Sequence, residues 1–426
     1  MKIAVIGGGS TYTPELVDGL IDRWRDLGLD ELVLYDINPE RMGVVADFCR
    51  RMAKRRDAGF EIVETTSLED AVRDAGFVLT QIRVGGQEAR HRDITLGLKY
   101  GLVGQETVGV GGFAKALRTI PEMLKICEVA EQLAPQTCIV NFTNPSGIIT
   151  EAIVNHSNLK CVGLCNIPIE IQILIARFMG AEPEDVELDY IGLNHLGWIR
   201  RVSLKGQDIT GRLFDMFLGG ELPANIPDLD YDPWLIKAIG MFPTYYLRYY
   251  FYPGRIVQQL KAKPKTRAEE VMEIERRLLD IYRDPNRAEK PPELSERGGA
   301  FYSVIAVLVI ESVHKDLGRT LIVNTKNAGA IPDLPDDCAV EVPSRVDADG
   351  AHALYCGPLP EKVKGLVQSV KAYERLTIQA AVNGDYDAAL CALMTNPLGP
   401  TAENAKELLD ELLTINGLWS RFGGER

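Results

Sequence analysis

The first 36 residues constrain the fold most, because they predict a strand, a glycine-rich turn, a helix and a second strand in succession. The β-branched run Lys2–Ile6 leads directly into Gly7-Gly8-Gly9, and apolar residues recur at helical spacing between Pro14 and Leu27. A second strand is predicted at Glu31–Asp36, where an apolar run ends in an acid. This order is typical of the first βαβ unit of a parallel sheet.

The same alternation of strands and helices continues through the first half of the chain. Further strands are predicted at Glu61–Glu64, Phe77–Ile82, Thr137–Asn141 and Cys161–Leu164, and helical segments such as Glu40–Lys54 separate them. We therefore predict an α/β fold built on a parallel, doubly wound sheet.

The pattern changes after about Val186, where long charged helices become more frequent. Strands are predicted at Glu187–Leu193, Trp198–Leu204, Thr320–Asn324 and Ala339–Pro343. Helices are predicted at Arg267–Tyr282, Ala300–Leu317, Leu359–Val382 and Ala402–Leu413, and loops at Pro223–Pro233 and Asp284–Pro292. We predict two domains, residues 1–193 and residues 194–426, of which the second is an α+β domain rich in helices.

Composition excludes several classes of function. The formal net charge of −13 argues against general nucleic-acid binding, which needs a basic face. No apolar run approaches the roughly 18 to 20 residues that cross a bilayer, and the chain does not begin like a signal peptide. Eight scattered cysteines are typical of reduced thiols. We expect a cytoplasmic protein with neither a membrane nor a nucleic acid as partner.

Two glycines of the first turn suit a dinucleotide. Gly7 and Gly9 lack the side chain that would keep a pyrophosphate from the helix N-terminus. Asp36, at the end of the second strand, can accept a hydrogen bond from a ribose hydroxyl, and its charge favours NAD over NADP. Tyr12 stands where a third glycine is usual, so the alternative is a tight turn without a ligand.

A cysteine and a histidine each follow a predicted strand. Cys165 comes after Cys161–Leu164, and His195 comes shortly after Glu187–Leu193. Strand ends border the ligand crevice of a doubly wound sheet, so a thiolate and an imidazole there could bind a divalent metal with open positions. These two ligands alone favour zinc, whereas sugar oxygens and water favour a harder ion. The alternative is that both residues are structural, as we expect of Cys161.

Three further groups of polar residues fall near the predicted crevice. Arginines between Arg83 and Arg90 follow the fourth strand and could bind a phosphate or carboxylate, or form surface ion pairs. Asn144 follows the fifth strand, where it could contact a ligand or cap a helix. The tyrosines between Tyr245 and Tyr252 mostly suit packing, although one phenol near a cation could act as a base. Spacing does not choose which one.

Taken in order, these segments resemble the NAD-dependent glycosidases of glycoside hydrolase family 4, and most closely its 6-phospho-β-glucosidases. The resemblance is carried by Gly7-Gly8-Gly9-Ser10-Thr11-Tyr12-Thr13-Pro14, Arg83-Val84-Gly85-Gly86 to Arg90, Gly104-Gln105-Glu106-Thr107, Asn144-Pro145-Ser146-Gly147, Cys165-Asn166, Asn194-His195, Tyr246-Leu247-Arg248-Tyr249-Tyr250, Thr266-Arg267 and Arg297-Gly298-Gly299-Ala300.

The resemblance implies hydrolysis of 6-phospho-β-glucosides by oxidation at carbon 3, loss of the carbon 2 proton, elimination of the aglycone, addition of water and re-reduction. It implies NAD and a divalent metal, typically Mn²⁺, as cofactors. By motif, the base is Tyr246, and the metal ligands are Cys165 and His195. The NAD site comprises Gly7, Gly9, Ser10, Thr11 and Asp36, and the substrate contacts are Arg90, Asn144 and Arg267.

The resemblance also implies roles for the two domains. Residues 1–193 would bind NAD, and residues 194–426 would carry substrate, metal and the contacts of a homodimer or homotetramer. Asn166 stands where α-selective members carry an aspartic acid, which favours β-linked substrates and leaves the leaving-group acid unassigned. The alternatives are an α-selective glycosidase of the same family, a dehydrogenase of the lactate and malate type, and an NAD-gated sugar sensor without catalysis.

Overall fold

Strands and helices alternate through the first half of the molecule. The computed structural model describes residues 1–219, 231–299 and 301–424. The strands are β1 (Lys2–Ile6), β2 (Glu31–Tyr35), β3 (Glu61–Thr65), β4 (Phe77–Thr80), β5 (Cys138–Asn141), β6 (Lys160–Gly163), β7 (Val186–Leu193), β8 (Leu196–Leu204), β9 (Gln207–Asp208), β10 (Phe242–Pro243), β11 (Arg319–Lys326), β12 (Ala339–Asp347) and β13 (Gly350–Ala353). The helices are α1 (Thr13–Leu27), α2 (Pro39–Arg55), α3 (Leu68–Val72), α4 (Gly86–Lys99), α5 (Gly109–Leu133), α6 (Ser146–His156), α7 (Asn166–Met179), α8 (Thr210–Leu218), α9 (Pro233–Ile239), α10 (Arg248–Phe251), α11 (Pro253–Ala262), α12 (Arg267–Arg283), α13 (Tyr302–His314), α14 (Glu361–Asn383), α15 (Tyr386–Thr395) and α16 (Ala402–Ile415).

The main sheet has nine strands in the order β3-β2-β1-β4-β5-β6-β11-β12-β13. The first six of these pair in parallel, so the predicted doubly wound, Rossmann-like sheet is confirmed. Helices cover both of its faces: α1, α2 and α13 pack on one side, and α3, α5 and α6 on the other. The residues Ile3–Ile6 of β1 are therefore completely buried, as expected for a central parallel strand.

Three strands from the second half of the chain extend this sheet. β11 pairs antiparallel with β6, with Asn324 opposite Gly163, and β12 and β13 follow as antiparallel neighbours. The predicted division between residues 193 and 194 falls in the turn between β7 and β8. The division therefore does not separate the two sheets. Strands β11 to β13, which come after it, belong to the same sheet as β1 to β6, because strands that are distant in the chain can pair.

A smaller sheet presents residues to the cleft. It has the order β10-β8-β7, with β9 also paired to β8. The β7–β8 hairpin turns through Asn194 and His195, directly after eight residues of strand. The short strand β10 pairs antiparallel with β8, so the residues after Pro243 emerge beside that turn.

The predicted helices agree with the structure to within a few residues. The helix predicted at Ala300–Leu317 is α13, and Ala300 lies outside the described residues. The loop predicted at Pro223–Pro233 also lies mostly outside them, and α9 begins at Pro233. No described helix combines the length and the apolar character needed to span a bilayer.

Candidate active site

One cavity of about 1570 Å³ lies at the carboxyl ends of the parallel strands. It brings together most of the residues that the sequence singled out, namely Gly7, Gly9, Ser10, Asp36, Arg90, Asn144, His195, Tyr246 and Arg267. Two others do not reach its surface: Thr11 is completely buried beneath the glycine turn, and Cys165 is 1% exposed. Tyr282 donates to the Thr11 carbonyl oxygen at 2.8 Å, which fixes the turn from below.

The glycine turn after β1 leaves room that side chains would fill. Gly7 adopts φ +94°, and a Cβ there would lie 3.0 Å from the Gln81 carbonyl oxygen. The Gly9 amide donates to Asp36 Oδ2 at 2.9 Å, and a Cβ on Gly9 would lie 2.8 Å from that oxygen. The N-cap residue of α1, Tyr12, makes no capping hydrogen bond with its side chain, and its amide donates to Ser10 Oγ at 3.2 Å. A backbone cradle at a helix N-terminus, with a carboxylate after β2, fits the pyrophosphate and ribose of a dinucleotide.

His195 occupies the second position of the β7–β8 turn with φ 62°, a left-handed conformation that residues other than glycine seldom adopt. Burial, with the positive charge of Lys115, lowers the pKa of His195 to about 3. The imidazole is therefore neutral, which is the form that binds metals. Its Nδ1 atom is buried and has no hydrogen-bond partner in the part of the chain that the structure describes. Such a nitrogen fits a metal ligand.

The Cys165 thiol lies between β6 and α7, against the same hairpin. Burial raises its pKa well above the ordinary value, and the neighbouring Glu341 carboxylate raises it further. The Asn194 side chain works in the opposite direction and lowers the pKa of this thiol, and it also donates to Glu341 Oε1 at 3.0 Å. Asn194 directly precedes His195, so the residue next to the imidazole is the one that acts on the thiol. A cation bound beside the thiol would favour the thiolate.

Glu341 is completely buried beneath this pair. Besides Asn194, it accepts hydrogen bonds from the Tyr190 hydroxyl at 2.6 Å and from Asn324 Nδ2 at 2.9 Å. Within the described ranges, no three or more His, Cys, Asp or Glu residues are grouped to hold a metal ion. An ion held by Cys165 and His195, as the sequence predicts, would therefore need further ligands from elsewhere.

Tyr246 lies in a short 3₁₀ turn, Tyr245–Leu247, that follows β10. The Thr244 amide donates to the Gly197 carbonyl at 3.0 Å, which ties this turn to the hairpin. As a result the Tyr246 ring stacks on the His195 ring, with centroids 3.8 Å apart and planes 9° from parallel. Burial raises the pKa of Tyr246 above the ordinary value. The phenol therefore needs a nearby positive charge before it can act as a base.

A group of cations surrounds the Glu106 carboxylate. Arg83 and Arg90 pair with it, the latter at 2.9 Å, and Lys115 Nζ lies 3.2 Å away. Although burial opposes ionisation, these three charges lower the pKa of Glu106 well below its usual range. Burial lowers the pKa of Arg90, and the charges of Arg83 and Arg267 lower it further. Three cations on one carboxylate leave a net positive charge, which suits an anionic ligand.

The other residues predicted to contact the substrate, Arg267 and Asn144, also line the cavity, as does Asn166. Arg267 begins α12, donates to Glu270 Oε2 at 3.0 Å and to the Glu296 carbonyl at 2.7 Å, and is 42% exposed. Asn144 follows β5, and its side chain lowers the pKa of the Tyr302 phenol, which burial raises well above the ordinary value. Asn166 donates to Glu170 Oε2 at 3.2 Å.

Sequence reasoning assigned no role to Glu106, Lys115, Tyr302 or Glu341. Glu106 stands in one of the motifs that carry the resemblance, and Glu341 interrupts the otherwise apolar strand predicted at Ala339–Pro343. The sequence therefore gave a reason to consider both residues as candidates for the site. Lys115 and Tyr302 are polar residues within helices, where spacing alone gives no reason to select them.

The sheet order, the glycine turn and Asp36 define a protein of the dinucleotide-binding α/β class. Within that class, the chain belongs to family 4 of the glycosyl hydrolases. The model for "Family 4 glycosyl hydrolase" matches residues 2–181, and the model for the "Family 4 glycosyl hydrolase C-terminal domain" matches residues 190–399.

Two relatives are similar over nearly their whole length. A probable 6-phospho-beta-glucosidase of Bacillus subtilis is 43% identical, over 97% of this chain and 96% of its own. The 6-phospho-beta-glucosidase BglT of Thermotoga maritima is also 43% identical, over 99% and 100%. Its structure with manganese, NAD⁺ and glucose-6-phosphate superposes with a TM-score of 0.90 at 41% identity, covering 98% of each chain. Malate dehydrogenase of Plasmodium falciparum, 16% identical with a TM-score of 0.56 over 91% of this chain and 99% of its own, shares the fold alone.

Proposed function

We propose that this protein hydrolyses 6-phospho-β-glucosides, either phosphorylated disaccharides or aryl glucosides, with NAD⁺ and a divalent metal, Mn²⁺, as cofactors. One observation carries the proposal: a single cavity joins the glycine turn to the stacked His195–Tyr246 pair and to the cations around Glu106. The relatives named 6-phospho-beta-glucosidases, 43% identical, support the same activity.

The residues of this chain fit both cofactors. The backbone of Gly7 and Gly9, with the Asp36 carboxylate, would hold NAD⁺, and Cys165 with His195 would hold the metal. When bound, NAD⁺ accepts and returns a hydride, and the metal polarises a carbonyl oxygen as a Lewis acid.

The side chains of the cavity bind the sugar phosphate and transfer its protons. Once a nearby positive charge has lowered its pKa, Tyr246 as the phenolate accepts the proton from carbon 2 of the sugar and becomes the neutral phenol. The neutral His195 ring stacked on it fixes the orientation of the tyrosine ring. Arg90 and Arg267 bind the 6-phosphate, because their mutual repulsion is relieved by a dianion. Asn144 contacts the sugar from the end of β5.

The β-linkage is part of the proposal because Asn166 replaces the aspartic acid of α-selective members. An amide cannot donate a proton to the leaving group as an acid does. We further propose that the protein is cytoplasmic and assembles as a homodimer or homotetramer, and that residues 1–193 bind NAD while residues 194–426 carry the substrate, metal and subunit contacts.

The proposal is tested with the 6-phosphate of 4-nitrophenyl β-glucoside. We expect release of nitrophenol that requires NAD⁺, Mn²⁺ and the phosphate, with no net production of NADH. The unphosphorylated glucoside and the α-anomer of the phosphorylated compound are the matched controls, and both should react much more slowly.

Each alternative gives a different result in this assay. NADH that accumulates in step with product would indicate a dehydrogenase, and faster cleavage of the α-anomer would indicate an α-selective enzyme. Binding of NAD⁺ and sugar phosphate without any nitrophenol release would indicate a sensor.

A further inference from the structure

A segment from the second half of the chain packs over the glycine turn. It is a 3₁₀ turn, Pro292–Arg297, followed by Gly298 and Gly299. The Tyr12 hydroxyl donates to the Gly299 carbonyl, and a Cβ on Gly299 would lie 3.2 Å from Tyr12 Cε2. Tyr12 occupies the position of the missing third glycine, so its ring forms the contact that joins this segment to the first turn.

The segment places one guanidinium directly at that turn. Arg297 Nη2 lies 3.5 Å from Ser10 Oγ, and Arg297 Cζ lies 5.7 Å from the centroid of the Tyr12 ring. The Arg297 side chain is 17% exposed and lines the cavity. Its Nε atom is buried and has no hydrogen-bond partner among the residues that the structure describes. Donors therefore remain available beside the turn.

The charges around Arg297 leave a positive excess. Glu275 accepts from Arg297 at 3.3 Å and also from Arg41 at 3.0 Å, so two guanidiniums share one carboxylate. Gln87 Nε2 donates to the same carboxylate at 3.0 Å, and Arg41 Nε donates to the Gly9 carbonyl at 2.8 Å. Glu275 thus holds both cations against the turn, and these three groups together keep one positive charge that attracts an anion.

A dinucleotide places its pyrophosphate, which carries two negative charges, at the glycine turn and the N-terminus of the following helix. We propose that Arg297 binds this pyrophosphate, so that the cofactor is clamped between the first turn and a segment of the second half of the chain. The inference rests on the proposed use of NAD⁺. The other cation cluster, around Glu106, is left for the sugar phosphate.

The test compares three ligands in the wild-type chain and in Arg297→Gln, in the presence of Mn²⁺. NAD⁺ and ADP-ribose contain the pyrophosphate, and adenosine does not. Titration calorimetry should show that the substitution weakens the binding of NAD⁺ and of ADP-ribose by about tenfold to a hundredfold. This is the range expected for the loss of a hydrogen bond to a charged group. The affinity for adenosine, measured by competition, should change by less than about twofold. The affinity of the NAD⁺-saturated protein for glucose-6-phosphate should also change by less than about twofold.

Two further variants separate binding from folding. Arg277→Gln removes a neighbouring ion pair with Glu296, which is 2.6 Å long and about half exposed, and should leave NAD⁺ affinity within about twofold of wild type. Arg297→Lys keeps the positive charge but not the planar guanidinium with its several donors, and should give an intermediate loss of NAD⁺ affinity. This variant can be measured even if the glutamine variant fails to fold.

Unchanged NAD⁺ affinity in a folded Arg297→Gln or Arg297→Lys variant overturns the inference, and so does a loss confined to glucose-6-phosphate. Equal losses for adenosine and ADP-ribose also overturn it, because they would show a general structural effect. If the wild-type chain binds neither NAD⁺ nor ADP-ribose, the proposed function fails and this inference fails with it.

Discussion

The two ends of the cavity are built in different ways. The glycine-turn end has a backbone cradle, formed by the turn after β1 and the residues after β2. These two strands are neighbours in the sheet. The opposite end is lined by side chains from the β7–β8 turn and the 3₁₀ turn after β10, and Glu341 of β12 is buried against the β7–β8 turn. Its ionisable groups, His195 and Glu341 among them, are nearly or completely buried.

The difference shows where single side chains matter. The backbone of the glycine turn depends on local dihedral angles, so the replacement of a side chain beside it should leave the turn in place. At the opposite end Glu341 accepts hydrogen bonds from side chains of β7, the β7–β8 turn and β11, so its replacement leaves several partners unpaired. The predictions below test this contrast, from the largest expected effect to the smallest.

Tyr246→Phe should lower kcat by about 10²- to 10⁴-fold, the usual contribution of a positioned base. Exchange of the carbon 2 hydrogen with deuterated water, followed by NMR on the bound sugar phosphate, should slow by a similar factor. Tyr245→Phe is the matched control and should have little effect. Undiminished exchange in Tyr246→Phe would move the role to Tyr245 or to another residue.

Cys165→Ser should weaken Mn²⁺ binding by at least about a hundredfold. This is the upper end of the range for replacing a residue that only hydrogen-bonds a metal ligand, and a direct ligand should matter at least as much. Mn²⁺ titration followed by electron paramagnetic resonance measures this directly. Cys161→Ser alters a buried thiol on β6 and should lower the melting temperature more than it lowers the rate. Equal activity in wild type and Cys165→Ser would contradict the metal assignment.

Glu341→Gln should weaken Mn²⁺ binding by about ten- to a hundredfold, because the amide removes the charge and keeps an acceptor on one side only. Its NH₂ would face either the Tyr190 hydroxyl, which now donates to Oε2, or the Asn194 and Asn324 amides, which now donate to Oε1. Glu311→Gln alters another buried glutamate, which pairs with Arg319 and contacts neither end of the cavity. It should lower the stability of the fold without changing Mn²⁺ affinity. A similar loss of Mn²⁺ binding in both variants would indicate a general loss of structure.

The smallest effect is expected for Glu275 at the glycine-turn end. Although burial works in the opposite direction, Arg297 and Arg41 lower the pKa of Glu275 below its ordinary value of 4.5. Its ion pairs should therefore stabilise the fold fully above pH 4.5 and lose this effect as the pH falls further.

The contribution should be about 1 kcal/mol, measured as the free energy of unfolding between about pH 6 and about pH 3. Glu275→Gln should show a flatter dependence on pH over that interval. Parallel curves for the two proteins would mean that these ion pairs contribute nothing to stability.

The sequence predicted the glycine-turn end well because its signals are local. Lys2–Ile6, the three glycines and Asp36 lie within one βαβ unit, and hydrophobic spacing is enough to order them. The same spacing placed α1, α2 and α12 to within one residue at each end. Fold class follows from that alternation and is confirmed.

The opposite end depends on contacts between distant residues. Which tyrosine meets His195 is decided by the pairing of β10 with β8, and no periodicity reveals that pairing. For the same reason the sequence placed Thr320–Asn324 and Ala339–Pro343 outside the first sheet. The role of Tyr246 came from the resemblance, whereas the strand ends had already indicated Cys165 and His195 as candidate metal ligands. All three roles stay predictions until the experiments above are done.

The antiparallel pairing of β11 with β6 has a consequence for biosynthesis. Until Asn324 leaves the ribosome, the edge of β6 carries unpaired amides and carbonyls, which invite wrong partners. Asn324 is also the residue that donates to Glu341 from that strand. A nascent chain therefore cannot complete the hydrogen bonds around Glu341, and with them the proposed metal site, before β11 covers the edge of β6. We expect a partly synthesised chain to be both prone to aggregation and inactive.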